Sequence, residues 1–424
     1  MYPPVKPKLL TTMQTYTPRL FLGDLFAGIS VAMVAMPLSI AIAIASGARP
    51  AAGLVTAIVA GFLISALGGS RVQVGGPTGA FIVIVYGVIA THGYDGLVLA
   101  TLMAGVILLA AGFLRAGNLI AYVPEPVVNG FTLGIAIVIA SSQLKDLLGL
   151  EVAKVPADFL PKVATLWGAR ASLNWTAVTV GTATLAAMIV LRRLWPKLPD
   201  RLLGPVAVSA IAALLMLPVA TIASQYGALP RNLPMPILPA VTGSRIAELM
   251  PSAFTIAFLA AIESLLSAMV ADRMIGGSHR PNAEVLAQGW ANIGSALFGG
   301  LPATGAIART ATNVRAGGKT PVAGMVHAVT ILIVMLVAAP LAGYLAMPAL
   351  AALLIMTAWN MSEPHKWKSY WRAPNEDRLL LLVTLLLTVL ADLTVAIGVG
   401  VAFGLAIRLR NSKLQPEQWH TPEP

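Results

Sequence analysis

Two ionisable side chains stand deep inside apolar sequence. Arg309 ends the stretch Gly299-Gly300-Leu301-Pro302-Ala303-Thr304-Gly305-Ala306-Ile307-Ala308-Arg309, and Glu263 lies near the middle of the apolar run Ala253–Ala271. An unpaired arginine at the centre of a bilayer costs about 2.5–3.5 kcal/mol on insertion scales. Gly-Gly-x-Pro breaks a helix, and Thr304 offers an N-cap for a new one. The predicted element is a helix that starts partway through the membrane, its first amides facing a cavity and Arg309 one turn in. Free amides, the positive end of a helix dipole and a guanidinium all favour an anion. Broken backbone at this depth is tolerated where it is buried in protein or lines a watery cavity. The competing reading is a plain kink with a structurally paired arginine.

A second stretch repeats the grammar. Gly75-Gly76-Pro77-Thr78-Gly79-Ala80-Phe81 shares Thr-Gly-Ala with residues 304–306. Two Gly/Pro-interrupted segments in matching places of two halves point to a transporter's binding site. Ser267 follows Glu263 by one helical turn, on the same face. A carboxylate at this depth must be protonated, paired or ion-bound. It is either a static salt bridge to Arg309 or a coupling site for a proton or cation. The second is favoured, because intramembrane acids mark ion pathways.

Composition fixes the class. Of 424 residues, 57% are hydrophobic and 11% charged, and the mean hydropathy is +0.82; soluble domains carry about 25% charged residues. The chain is a polytopic helical membrane protein with the lipid bilayer as its partner. Absence of cysteine excludes disulfides and thiolate chemistry. The five histidines lack helical metal-ligand spacing, so no metal and no cofactor beyond a coupling ion is expected. No nucleophile–base pair suggests an enzyme. The net charge of +11 reads as topology rather than nucleic-acid binding.

Fourteen spans are predicted, at 24–45, 50–68, 76–91, 95–114, 124–144, 173–191, 203–222, 251–271, 284–299, 303–314, 321–338, 341–358, 378–392 and 393–408. With both termini cytoplasmic, 20 of the 28 Lys and Arg fall inside and 7 outside, with Arg309 in the membrane. This positive-inside bias supports a multi-pass protein of a bacterial inner membrane. Residues 1–23 form a cytoplasmic lead-in without a cleavable signal peptide. Residues 24–222 form a first seven-span repeat, 223–250 a proline-rich connector, 251–410 a second repeat, and 411–424 a cytoplasmic tail. An odd span number inverts the second copy, giving 7+7 inverted repeats. Pro37 is expected to kink or open span 1. Val72-Gln73-Val74 is a candidate extended strand. Asn129, Ser141, Ser142 and Gln143 are expected to bond between helices. His327 reads as a packed helix residue, Trp367, Tyr370 and Trp371 as an interfacial anchor, and Asp392 as an outer-surface residue.

These residues resemble the sulfate permease (SulP) family of anion transporters. The resemblance rests on Pro37 through Gly47, Pro50, Gly53, Gly69-Ser70-Arg71 and Gly76-Pro77-Thr78. It continues through Glu263-Ser264-Leu265-Leu266, Pro302-Ala303-Thr304-Gly305, Arg309 through Asn313 and Ala316-Gly317-Gly318-Lys319. The wording from Thr304 to Asn313 looks most like bacterial members, including proton-coupled C4-dicarboxylate carriers. The resemblance implies a core domain of spans 1–4 and 8–11, a gate domain of spans 5–7 and 12–14, and an anion held between the two half-helices. Leu38 and Ile42 would face it from span 1, Thr78, Gly79 and Ala80 from one half-helix, and Thr304, Gly305, Ala306, Ile307, Ala308 and Arg309 from the other. Many relatives carry serine at the position of Ala308. Glu263, with Ser267, fits an acidic position tied to proton coupling in some members and, as aspartate, to sodium in bicarbonate carriers. Most relatives continue into a STAS domain; this chain stops before one, as a truncated or a short member.

The expected function is therefore secondary active transport of a small anion, such as fumarate, succinate or sulfate. Proton-coupled symport by elevator-like alternating access is expected, with homodimer formation compatible. The alternatives are sodium-coupled bicarbonate transport or anion exchange, and further off a passive anion channel or a nucleobase carrier of the same general fold.

Overall fold

The computed structural model describes residues 6–118, 123–153, 155–196, 198–391 and 393–410. The elements in chain order are α1 (Lys8–Thr12), α2 (Pro18–Ala45), α3 (Pro50–Leu67), β1 (Gly75–Gly76), α4 (Ile82–Phe113, entered through a 3-10 turn at Gly79–Phe81), α5 (Glu125–Leu148), α6 (Phe159–Gly168), α7 (Trp175–Leu194), α8 (Asp200–Leu214) and α9 (Ile222–Tyr226). There follow α10 (Gly243–Ile275), α11 (Pro281–Leu297), β2 (Thr304–Gly305), α12 (Ile307–Arg315), α13 (Pro321–Ala342), α14 (Met347–Met361), α15 (Trp367–Arg372), α16 (Asn375–Leu390) and α17 (Leu393–Arg410). Asp392, Lys197, Lys413 and the tail 411–424 lie outside the described residues.

Among the described residues, seven helices are long and apolar enough to cross a membrane unaided. One is the stretch Gly79–Phe113, at 35 residues. At about 1.5 Å per residue it is far longer than a bilayer core. Gly93 divides it, with φ 70° and ψ −178°, into the short arm and the full span expected at 76–91 and 95–114. Counting these arms separately, the first half runs α2, α3, short arm, long arm, α5, α7, α8, and the second α10, α11, α12, α13, α14, α16, α17. Each half thus places its short interrupted element third of seven.

The helices sort into two packing groups. α2, α3, α4, α10, α11, α12 and α13 pack chiefly on one another, and α5, α7, α8, α14, α16 and α17 do the same. Small residues let the first group approach closely. A Cβ on Gly53 of α3 would stand 2.0 Å from the Ser39 carbonyl oxygen of α2, so only glycine fits beside the turn after Pro37. Pro37 itself stays inside a continuous α2.

Three boundaries differ from expectation. α10 begins at Gly243, inside the predicted connector, because Thr242 caps it by accepting from the Arg245 amide at 3.4 Å; Pro251, read as a helix start, sits within it. α8 ends at Leu214, well before residue 222: Met216 adopts φ 49°, Pro218 follows, and Thr221 forms a bridge with Ala346. The extended strand falls at Gly75–Gly76, just after Val72-Gln73-Val74, although the Val74 carbonyl still accepts from the Ala306 amide at 3.0 Å.

Candidate functional site

The two broken segments meet. β1 and β2 pair antiparallel, Gly75 opposite Gly305 and Gly76 opposite Thr304. Backbone at membrane depth must find partners within the protein, and neighbouring helices supply them. Asn292 of α11 both donates to the Ala303 carbonyl and accepts from its amide, each at 2.9 Å. Thr56 of α3 accepts from the Leu301 amide at 2.6 Å, and Ser295 donates to the Leu301 carbonyl at 2.6 Å. Asn313 donates to the Val72 carbonyl at 2.8 Å. The bonds to Leu301 and Ala303 hold the Gly-Gly-Leu-Pro break, and the bond to Val72 holds the approach to β1.

Thr304 is not the N-cap of α12. Its hydroxyl donates to the Ala260 carbonyl of α10 at 2.7 Å, and Ala306 occupies the cap position with no side-chain bond. The strand places Thr304 too early to cap, so its hydroxyl satisfies the helix behind it. Thr78 does stand at the cap of the 3-10 turn, again without a side-chain cap bond. Both segments therefore present first-turn amides that no side chain covers, the arrangement that accepts anions.

Arg309 crosses from one half to the other. Its Nη1 donates to the Gly75 carbonyl at 3.3 Å, and its Nη2 to the Pro77 carbonyl and the Ser39 hydroxyl, each at 3.0 Å. It is 3% exposed. The approach needs glycine at 76: a Cβ there would lie 2.0 Å from Nη1, and the φ of 149° disfavours any side chain. Among the described residues Arg309 forms no ion pair. The paired-arginine reading thus takes a different form. The partners are carbonyls and a hydroxyl, which fix the guanidinium but leave its charge uncancelled.

Glu263 does not pair with Arg309. Its Oε2 accepts from the Thr78 hydroxyl at 2.8 Å, tying α10 to the start of the opposite segment. Ser267, one turn on, is fully buried and bonds Thr310 of α12 at 3.0 Å. Thr310 also accepts from the Val74 amide at 3.1 Å. The two coupling candidates therefore face different neighbours. Ser267 braces α12, while Glu263 meets Thr78.

The remaining candidates gather around these bonds. Leu38, Ile42, Gly79, Ala80, Thr304, Gly305 and Ala306 are buried; Thr78, Glu263 and Ile307 are half-buried; Ala308 is exposed. The space beside Gly79 is bounded from the second packing group: a Cβ there would meet Met361 Sδ at 3.2 Å and Ile139 Cδ1 at 3.5 Å.

Sequence reasoning missed several supports. Ser264 donates to Glu284 Oε1 at 2.9 Å and accepts from Gln73 at 2.8 Å and Gln288 at 2.7 Å. Glu284 in turn accepts from the Gly69 and Ser70 amides at 2.9 and 3.2 Å. Glu284 and Gln288, four apart in an apolar helix, were the available signal. Asp24 of α2 accepts from the Lys319 and Thr320 amides at 2.8 and 3.2 Å, holding the loop that leads to Thr320, the N-cap of α13. Ser141 and Ser142 donate to Val138 within their own helix, and Ser142 also accepts from Lys162 of α6 at 3.2 Å. His327 is buried, as expected of a packed residue, and both ring nitrogens lack a partner.

Comparison with known proteins identifies the family and the fold. The sulfate permease family profile matches residues 21–384. YvdB of Bacillus subtilis, provisionally named a sulfate transporter, is 43% identical over 397 residues, covering 93% of this chain and 75% of that protein. The bicarbonate transporter BicA of Picosynechococcus is 29% identical over 410 residues, covering 94% of this chain and 72% of its own. The solved transmembrane domain of a cyanobacterial BicA superposes with a TM-score of 0.83 at 27% identity, over 90% of this chain and 99% of that one. Murine Slc26a9, an anion transporter solved in its inward-facing state, shares the fold with a TM-score of 0.85 at 19% identity, over 96% of this chain and 71% of that one. A profile match over most of the chain, joined to two paired breaks and a buried arginine, places the protein in the sulfate permease family.

Proposed function

We propose that this anion transporter is a proton-coupled symporter of a small oxyanion, a C4-dicarboxylate such as succinate or fumarate, or sulfate. The observation that carries the reading is the pairing of two segment starts with uncapped amides around a guanidinium that no carboxylate neutralises. Such a place has positive potential and free donors but no bound counter-charge. Glu263 supplies the proton site. It is half-buried, and it shares Thr78 with the segment that would hold the anion. A carboxylate so near the anion repels it when ionised and admits it when protonated, which couples the two bindings.

The sorting of the helices into two packing groups supports alternating access. The group holding both segments would move as one body against the other, carrying the site across. The excess of Lys and Arg on one face favours cytoplasmic termini in a bacterial inner membrane.

A second reading is sodium-coupled bicarbonate transport, favoured by the likeness to BicA. There Glu263 and the Thr78 hydroxyl would offer oxygens to sodium. Reconstituted protein tested with radiolabelled sulfate, succinate, fumarate and bicarbonate, under an imposed pH or sodium gradient, separates the two. Accumulation of sulfate or a dicarboxylate driven by an inward proton gradient is the expected result. Accumulation only of bicarbonate, and only with sodium, overturns the first reading in favour of the second. Current rising linearly with voltage, without accumulation, overturns both.

A further inference from the structure

Two side-chain hydrogen bonds cross from one packing group to the other, and both lie toward the same end of the bundle. The Tyr86 hydroxyl, on the short arm of α4, donates to the Val155 carbonyl in the loop between α5 and α6. The Thr255 hydroxyl of α10 bonds the Thr394 hydroxyl of α17 at 2.9 Å. The course of α2 tells the two ends apart. It starts beside the end of α12, where Asp24 accepts from the Lys319 amide at 2.8 Å, and it finishes at the far end. Tyr86 stands at that far end: a Cβ on Gly47, in the turn after α2, would meet its ring at 3.4 Å. α10 runs the other way, because the Arg280 amide beyond it bonds the Gly69 carbonyl after α3 at 3.0 Å. Thr255 precedes Glu263 in α10, so it too lies on the far side of the central segments, about 12 Å along at 1.5 Å per residue.

The near end is open. Along α12 Ala308 is exposed, Thr312 half-buried and Arg315 exposed, while Arg309, Thr310, Ala311 and Asn313 are buried. Spacings of four and three put residues 308, 312 and 315 on one helix face. That open stripe runs from the first turn of α12 to its last residue, beside the start of α2. Toward the far end the chain is packed. Ile82 and Val85, between Gly79 and Tyr86, are buried, and so is Leu259, one turn below Thr255. The central segments are therefore reached along α12 and closed off beneath Tyr86 and Thr255.

We propose that the Tyr86–Val155 and Thr255–Thr394 bonds form a two-point latch that holds the far mouth shut and sets the balance between the two access states. It rests on the alternating-access reading above. Both bonds suit repeated breaking. The Thr255 hydroxyl also reaches the Pro251 carbonyl of its own helix at 3.0 Å, so it keeps a partner when α17 withdraws. Tyr86 is half-buried, and water replaces the Val155 carbonyl once the loop lifts. Neither bond involves a charged group, so each adds a modest increment to the closed state. Between the latch and the open stripe the groups meet through apolar contact, Gly79 against Met361 and Ile139. Such a surface separates without leaving buried polar groups unpaired. Release of the two hydroxyls therefore moves the population toward the state open at the far end.

The test reads the two mouths by thiol labelling of the purified full chain and needs no anion. One reporter is Leu259→Cys, at a fully buried position on the same face of α10 as Thr255. The other is Ala308→Cys, on the open stripe. The native chain has no cysteine, so each reporter is the single thiol. Tyr86→Phe and Thr255→Val each remove a hydroxyl bond and keep the volume nearly constant. Each should speed maleimide labelling of Leu259→Cys severalfold, and the two together should speed it by about the product of their separate effects. Labelling of Ala308→Cys should not rise in any of them. Thr255→Ser should return the Leu259→Cys rate to its value with the latch intact. Unchanged labelling of Leu259→Cys in the double variant overturns the proposal. Faster labelling of both reporters also overturns it, because that is general loosening of the fold and not a shift between two states. The labelling result is independent of transport. A protein that moves none of the tested anions therefore overturns the proposed function, and is told apart from failure of the latch.

Discussion

The Thr78 hydroxyl donates to Glu263 Oε2 at 2.8 Å, joining residues 185 positions apart. The bond links a half-buried membrane acid to the segment that would cradle the anion. Replacing Glu263 with Gln preserves shape and most hydrogen-bonding capacity but removes the ionisable proton site. Proton-driven accumulation should vanish, whereas counterflow exchange of labelled for unlabelled anion should persist. Continued concentration of substrate by Glu263→Gln under a pH gradient would show the acid to be structural.

Thr78→Val tests the same link from the other end. The substitution keeps volume and leaves Glu263 without its donor. A hydrogen bond to a charged group contributes about 1.5–3 kcal/mol. Transport should weaken by tenfold or more in the half-saturating concentration, with Thr78→Ser restoring most of it. Wild-type behaviour of the valine variant would remove Thr78 from the site.

Arg309 should prove indispensable in a way lysine cannot replace. Its fork reaches the Gly75 and Pro77 carbonyls and Ser39 at once, which a single ammonium cannot match. Arg309→Ala should lower anion affinity about tenfold or more and also lower Tm, since three acceptors lose their donor. Arg309→Lys should recover part of the affinity and less of the Tm. Unchanged uptake by a folded Arg309→Ala protein would refute the anion-site reading.

The broken segments were legible because glycine, proline and threonine stand out against an apolar background, and because charge in a membrane run is costly. Partners were not. Arg309 and Glu263 look like a pair in sequence, being opposite charges in membrane runs of the same half, yet each bonds the other half of the chain. Nothing local foretells that Gly75 and Pro77 present carbonyls to a guanidinium 232 to 234 residues away. Thr304 looked like a cap because caps are local; the cross-segment strand overrode it. Asp24 sat at the predicted edge of a span, where an acid reads as a surface group. It in fact accepts from amides about 295 positions distant, just before the start of α13. Helix ends failed where a strained residue such as Met216, or a cap such as Thr242, outweighed hydropathy.

Gly76→Ala should be as damaging as loss of the arginine, through geometry alone. The new methyl would stand 2.0 Å from Arg309 Nη1, at a φ of 149°. Either the guanidinium or β1 must move, and β1 is pinned to β2. A folded protein with transport reduced at least tenfold is expected, with Gly93→Ala, which meets nothing within 4 Å but shares a positive φ of 70°, as the comparison for backbone strain without the clash. Equal effects of the two would show that strain, and not the contact with Arg309, is what matters.

Motion is the last test, and the close approach at Gly79 provides it. A Cβ on Gly79 would lie 3.2 Å from Met361 Sδ, so the start of one segment rests against α14 of the other packing group. If the segment-bearing group slides as a body, this contact must open and re-form once per cycle. A link across it should hold the protein in a single state. The chain has no native cysteine, so Gly79→Cys with Met361→Cys gives a clean pair. Oxidation should arrest uptake and reduction restore it. A control pair joining α2 to α13, which pack within one group, should leave transport running when oxidised. Undiminished flux through the Gly79–Met361 cross-linked protein would reject a moving body and favour a fixed conducting path, because an anion would then be crossing between two surfaces that cannot separate.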